Sequence, residues 1–181
     1  MKSVLLLYAS TEGQTEKIAL VIADHLRHEQ VKTVLVNAED SANLNALVLA
    51  DFDMLVFGAS LHVGKIDKTI QTFINAHAQE IAAKPRAFFL VSLSAAEKEV
   101  EKREAWLEDA RRKLQACLDV SFNDIEMIAG ALKYSAYSWP VRFMMKRIAG
   151  KAGGDTDTSK DYEYTDWIQV AGLCRRIESS L

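Results

Sequence analysis

The sequence predicts an α/β protein: a doubly wound, five-stranded parallel sheet with helices on both faces and a long insert before the last helix. Three observations predict it. Five short runs of branched and aromatic residues recur along the chain, each nearly continuous in hydrophobicity rather than alternating, as strands buried on both faces read. Stretches with helical spacing separate these runs, so strand and helix alternate. The chain of 181 residues, 49% apolar and 26% charged, is long enough for one well-buried core and short for two, so residues 1–181 read as a single domain.

The elements follow in order. Residues 4–8 form the first run, and Ile18, Val21, Ile22 and Leu26 then share one face of a helix from about residue 14 to 27. The second run, 31–36, leads to a weaker helical pattern around 44–49. The third, 54–58, precedes a helix marked by Ile66, Ile70, Phe73, Ile74 and Ile81. After the fourth run, 87–92, Ser94-Ala-Ala-Glu97 reads as a capping box for a helix carrying Leu107, Ala110, Leu114, Cys117 and Leu118. The fifth run spans 125–132, and the last helix holds Trp167, Val170, Ala171 and Cys174. Residues 133–164 lie between them, too many for an ordinary connection, and form an insert.

Composition excludes several function classes. The net charge of −3 speaks against a nucleic-acid partner, although the segment 131–154 carries Lys133, Arg142, Lys146, Arg147 and Lys151 with no acidic residue. Cys117 and Cys174 lie far apart on apolar helix faces and read as buried thiols of a reducing cytoplasm. Glu12 and Glu16 follow the short first apolar run too closely for a signal peptide, and no run approaches the roughly 20 residues of a membrane span. No His, Cys and carboxylate cluster has metal-site spacing, no catalytic triad is apparent, and His25, His28 and His77 lie on helices where they need no function.

In sheets of this kind ligands bind beyond the carboxyl ends of the strands, where the strand order reverses. The first such loop reads Ser10-Thr11-Glu12-Gly13-Gln14-Thr15. It places three hydroxyls, a glycine and several amides at a helix N-terminus, which suits an anion such as a phosphate monoester. Capping of the helix by Ser10 or Thr11 is the alternative. A Walker lysine pattern and a G-x-G-x-x-G fingerprint are both absent from this turn, which disfavours an NTPase or an NAD-binding enzyme.

This loop resembles the flavodoxin phosphate loop, [ST]-x-T-G-x-[ST], with Glu12 where threonine is usual. A carboxylate aimed at the phosphate would repel it, so Glu12 is expected to turn outward and contribute its amide. Further on, "GASLHVG" (58–64), "AGALKY" (129–134), "GGDTDT" (153–158) and "YTDW" (164–167) together are similar to the flavodoxin-type, quinone-dependent protoporphyrinogen IX dehydrogenases of bacterial haem synthesis. The resemblance covers almost the whole chain, insert included. It implies sheet order 2-1-3-4-5 and an FMN cofactor. The phosphate would be held by residues 10–15, and the ring would lie between Ala59, Ser60, Leu61, His62, Val63 and Gly64 on one side and Ser92, Leu93 and Ser94 on the other. These two loops contain neither Trp nor Tyr, and an open flavin face suits an enzyme admitting a flat substrate. The implied reaction is oxidation of protoporphyrinogen IX to protoporphyrin IX with a membrane quinone, menaquinone or ubiquinone, as acceptor. An electron-carrying flavodoxin and an NAD(P)H-quinone reductase are the rival readings. His62 is a candidate for substrate contact or proton handling, and Ser94 serves either the flavin or the helix cap.

The insert reads as a helix from about 140 to 149 with Val141, Met144, Met145 and Ile148 on one face, Arg142, Lys146 and Arg147 largely opposite, and Phe143 on the basic side. Such a helix can lie on an anionic membrane surface. It can equally pack its apolar face on the sheet. Tyr134, Tyr137 and Trp139 either line a substrate site or fill a small core of the insert. The resemblance places the protein in the cytoplasm, attached peripherally to the cytoplasmic face of the inner membrane.

Overall fold

A computed structural model describes residues 1–62, 64–151 and 154–181. Val63 of the expected flavin loop, Gly153 of the GGDTDT motif and the side chains of Ile148 and Lys151 lie outside the described residues.

Five parallel strands, β1 (Ser3–Ala9), β2 (Lys32–Asn37), β3 (Met54–Ser60), β4 (Arg86–Ser92) and β5 (Ile125–Ala129), lie in the order β2-β1-β3-β4-β5. Successive side chains point to opposite faces, and both faces are covered, so every residue of β1 is buried. Leu5, Leu7, Phe57, Phe88 and Leu90 pack beneath α3 (Lys68–Ala76) and α5 (Val100–Ala116). Val4, Leu6, Val56 and Phe89 pack beneath α1 (Gln14–His28) and α7 (Trp167–Ser179), whose Ile18, Ile22, Val170 and Leu173 complete that layer. The short α2 (Ser41–Asn45) is capped by Asp40, whose carboxylate accepts from the Asn43 amide.

Several elements differ from the sequence reading. The pattern from Ile66 to Ile81 is two helices, α3 and α4 (Ala78–Ala82), separated at His77, whose ring packs on Phe73 at 4.6 Å. The kink spans one residue, so Ile81 still reaches the core shared with Ile70 and Ile74. The expected capping box is not formed, because Leu93–Ala96 turns as a 3-10 helix and α5 begins only at Val100, after Glu99. The fifth apolar run divides at Gly130. The Gly130 amide donates to Ser92 O at 3.2 Å, its carbonyl accepts from the Tyr164 amide at 3.0 Å, and a Cβ there would stand 3.1 Å from Val91 Cγ1. Beyond it β6 (Ala131–Leu132) leaves the sheet and pairs antiparallel with β7 (Tyr162–Glu163).

That pair founds a small second core. Leu132, Tyr134, Tyr137 and Ala149 are buried in it, with Leu93, Met145, Tyr162 and Tyr164 packed around them. Tyr134 meets Tyr137 and Tyr162 edge-on at 6.0 and 6.3 Å and donates its hydroxyl to Asp155 O at 2.8 Å. Tyr134 and Tyr137 therefore fill the insert rather than line an open site. The helix α6 (Trp139–Lys151) starts one residue earlier than expected and contains Gly150 instead of ending before it. Its expected apolar face does not pack on the sheet: Val141 and Met144 are exposed, and Met145 turns to the insert core.

Candidate functional site

The loop from Ser10 to Thr15 leads from β1 to α1 on one face of the sheet, whereas the adjacent β3 leads to α3 on the other, so the first turn of α1 borders the crevice where the two connections part. Gly13 is the N-cap of α1 with φ 83°, a left-handed conformation that glycine adopts without penalty. It offers no side chain, and α1 has no side-chain cap, so the unpaired amides of the first turn remain available to an anion. Ser10 does not cap the helix; its Oγ accepts from the Gly13 amide at 3.1 Å and shapes the turn. Apart from its chain neighbours, no atom lies within 4 Å of where a Gly13 Cβ would stand, so the backbone is open to close approach.

Two buried polar atoms sharpen this picture. Thr15 is 1% exposed and Gln14 5%, and neither Thr15 Oγ1 nor Gln14 Oε1 has a hydrogen-bond partner. An unsatisfied buried hydroxyl costs roughly 1–3 kcal/mol, which a ligand oxygen would recover. Gln14 is fixed by its other end: Nε2 donates to Thr165 Oγ1 at 2.9 Å, and that hydroxyl donates to Ala129 O at 2.7 Å. The residues present therefore fit a phosphate. Glu12 turns away onto the insert, where its Oε2 accepts the Tyr137 hydroxyl at 3.1 Å. Burial and the adjoining Glu12 carboxylate push the Tyr137 phenol well above its usual range, so it stays a donor.

Beyond the loop two cavities of about 450 and 640 Å³ adjoin, sharing Leu61, Gly64 and Lys113 in their walls. The larger reaches Thr11 in the first loop and takes in Ser60 and His62; the smaller lies between Leu61 and Gly64 on one side and Leu93 and Ser94 on the other. Three predicted loops thus meet around one space. Ala59 and Ser92 do not line it. Ala59 is buried in the sheet, and Ser92, 6% exposed, accepts the Ser94 amide at 3.2 Å, leaving Ser94 to face the cavity. The His62 backbone pairs both ways with Lys65, at 2.9 and 3.0 Å, around a turn in which Gly64 has φ 75°, and the His62 side chain is exposed.

The remaining wall comes from residues that the sequence reading did not assign to the site. Trp106 of α5, 43% exposed, and Tyr164, Met145 and Ala149 of the insert border the smaller cavity. The available signal was an exposed tryptophan outside the apolar face marked by Leu107, Ala110 and Leu114. Tyr164 donates its hydroxyl to Asp155 Oδ2 at 2.7 Å, and burial together with that carboxylate pushes its phenol up. The insert candidates separate. Trp139 is 81% exposed, Lys146 and Arg147 are exposed, and Arg142 is half-buried with its guanidinium donating to Tyr137 O at 3.3 Å rather than pointing away. Among the described residues, no group of three or more His, Cys, Asp and Glu is placed to hold a metal, and no helix is long and apolar enough to cross a membrane.

A flavodoxin-domain family model matches residues 5–159. Protoporphyrinogen IX dehydrogenase (quinone) of Escherichia coli K12 is 34% identical over 173 residues, covering 96% of this chain and 93% of that protein. The protein of the same name from Leishmania major is 34% identical over 167 residues, covering 92% of this chain and 70% of its own. Among solved structures, oxidised flavodoxin 1 of Bacillus cereus aligns over 71% of this chain and 85% of its own, with 21% identity and a TM-score of 0.49. The uncapped first turn of α1 and the converging loops are thus set in a flavin-binding domain, and the chain belongs to the flavodoxin-domain family, alongside the quinone-dependent protoporphyrinogen IX dehydrogenases.

Proposed function

We propose that this protein is an FMN enzyme of haem biosynthesis that oxidises protoporphyrinogen IX to protoporphyrin IX and passes the electrons to a membrane quinone. The observation that carries the reading is the buried, partnerless Thr15 hydroxyl beneath an uncapped helix N-terminus, in a loop whose Thr11 lines the larger of the two adjoining cavities. Ser10, Thr11, Gly13, Gln14 and Thr15, with the Glu12 amide, would hold the phosphate. Ser60, Leu61, His62, Gly64, Leu93 and Ser94, with the backbone of Ala59 and Ser92, would flank the ring. When bound, FMN supplies a two-electron acceptor, and the chain supplies binding and orientation.

The residues of this chain support that division of labour. Trp106, Met145 and Tyr164 offer a largely apolar wall against which a flat macrocycle can lie, and Lys98 and Lys113 in the same wall offer charge to its carboxylates. Lys113 is already paired with Asp109 at 2.6 Å, which leaves Lys98 as the better candidate. The insert lines one side of the space through Met145, Ala149 and Tyr164. No side chain is required to move a proton, and the raised pKa of Tyr164 suits a phenol that only donates a hydrogen bond.

Attachment to an anionic membrane surface, at the cytoplasmic face of the inner membrane, forms part of the same reading. It is supported by exposed Trp139, Phe143 and Met144 on α6 beside exposed Lys146 and Arg147. Tyr134 and Tyr137 support α6 from the insert core.

Anaerobic mixing of the FMN-loaded protein with protoporphyrinogen IX tests the activity. The flavin band bleaches, porphyrin fluorescence appears, and a quinone restores the band. Bleaching by NAD(P)H but not by porphyrinogen would replace this reading with a quinone reductase. Reduction only through a partner reductase would replace it with an electron carrier.

A further inference from the structure

Glu12 stands next to Gly13 in the proposed phosphate cradle, where a free carboxylate at the wrong angle would oppose a phosphate dianion. The sequence compensates from a distance of 125 residues, through the Tyr137 hydroxyl that donates to Glu12 Oε2. Tyr137 is 7% exposed and cannot swing freely. Its ring meets Tyr134 edge-on, Tyr134 is fully buried and tied to Asp155 O, and the Tyr137 carbonyl accepts from Arg142. The insert core thus fixes the donor, and the donor fixes the carboxylate.

We propose that Tyr137 is a positioning residue for the cofactor, holding the Glu12 carboxylate against the insert and away from the phosphate so that folding of the insert and affinity for the phosphate are coupled. This rests on the FMN reading given above. The coupling acts through charge at one end of the ligand. Loss of the Tyr137 hydroxyl frees an anion beside the phosphate, whereas the bond itself joins Tyr137 to the phosphate loop and to no residue proposed to flank the ring. The effect therefore falls on flavins that carry a phosphate and spares those that do not. It also disappears when position 12 carries no charge, because there is then nothing to restrain.

Equilibrium titration of the full-length apoprotein with FMN and with riboflavin, followed by flavin fluorescence, tests this. Tyr137→Phe is expected to raise the Kd for FMN about fivefold or more while leaving the Kd for riboflavin unchanged, the size expected when one released carboxylate repels a nearby phosphate across a solvated gap. Glu12→Gln added to Tyr137→Phe is expected to restore FMN affinity, giving a non-additive double-mutant cycle. An unchanged ratio of FMN to riboflavin affinity in Tyr137→Phe, including equal weakening of both through damage to the fold, would overturn the inference and leave the cofactor reading intact. The same holds if Glu12→Gln fails to rescue. Failure of the wild-type protein to bind FMN would overturn the cofactor reading and this inference with it.

Discussion

Thr15 buries a hydroxyl that has no partner, and that single atom makes the apoprotein and the loaded protein respond oppositely to one substitution. Thr15→Val keeps the branched shape and removes the unsatisfied group. It should stabilise the apoprotein by about 1 kcal/mol, read by urea denaturation, while weakening FMN roughly tenfold or more. Equal or lower stability with unchanged affinity would remove Thr15 from the cradle. The loop was legible at this scale because hydroxyls, one glycine and a helical pattern fall in six consecutive residues. The destination of Glu12 was only half legible. An outward turn follows from charge repulsion, but its partner lies 125 residues away in an insert whose fold no local pattern specifies.

Among the elements, β3 shows how a close approach fixes the spacing of two strands. The ring of Phe89 on β4 lies across Gly58, where an added Cβ would stand 2.0 Å from the ring's Cζ. Phe89 is fully buried and has no space to yield, so Gly58→Ala should destabilise the protein by about 1–3 kcal/mol, measured by denaturant midpoint. A neutral effect would mean that the two strands separate more easily than their register implies. The sequence reading stopped β3 at this glycine, taking it as a strand end. The strand continues to Ser60 because the glycine serves packing rather than a turn. The opposite error occurred at Gly130, where continuous hydrophobicity concealed a change of pairing partner. For α6, replacing both Trp139 and Phe143 with Ser should reduce binding to vesicles containing anionic lipid at least severalfold with FMN affinity unchanged, because both side chains are exposed. Sedimentation with such vesicles checks this, and undiminished binding would contradict a membrane role for the helix.

In the whole molecule, the strand order places the site. The order in which the parallel strands are added reverses between β1 and β3, which opens the crevice, and the loops after β1, β3 and β4 converge there. That much was legible because buried parallel strands read as apolar runs and the topology then leaves few places for a ligand. The insert was legible as an extra segment but not as a wall of the cavity. Its form depends on contacts such as Tyr134 to Asp155 and Tyr164 to Gly130, which sequence periodicity does not report. The central claim is that main-chain amides and hydroxyls after β1 hold the phosphate of a flavin. The most direct test is the visible spectrum of the purified protein, followed by release and identification of its flavin. A yellow protein releasing FMN, or a colourless one that becomes yellow and more heat-stable on saturation with FMN, is the predicted result. A colourless protein unchanged by saturating FMN in both spectrum and melting temperature would contradict it.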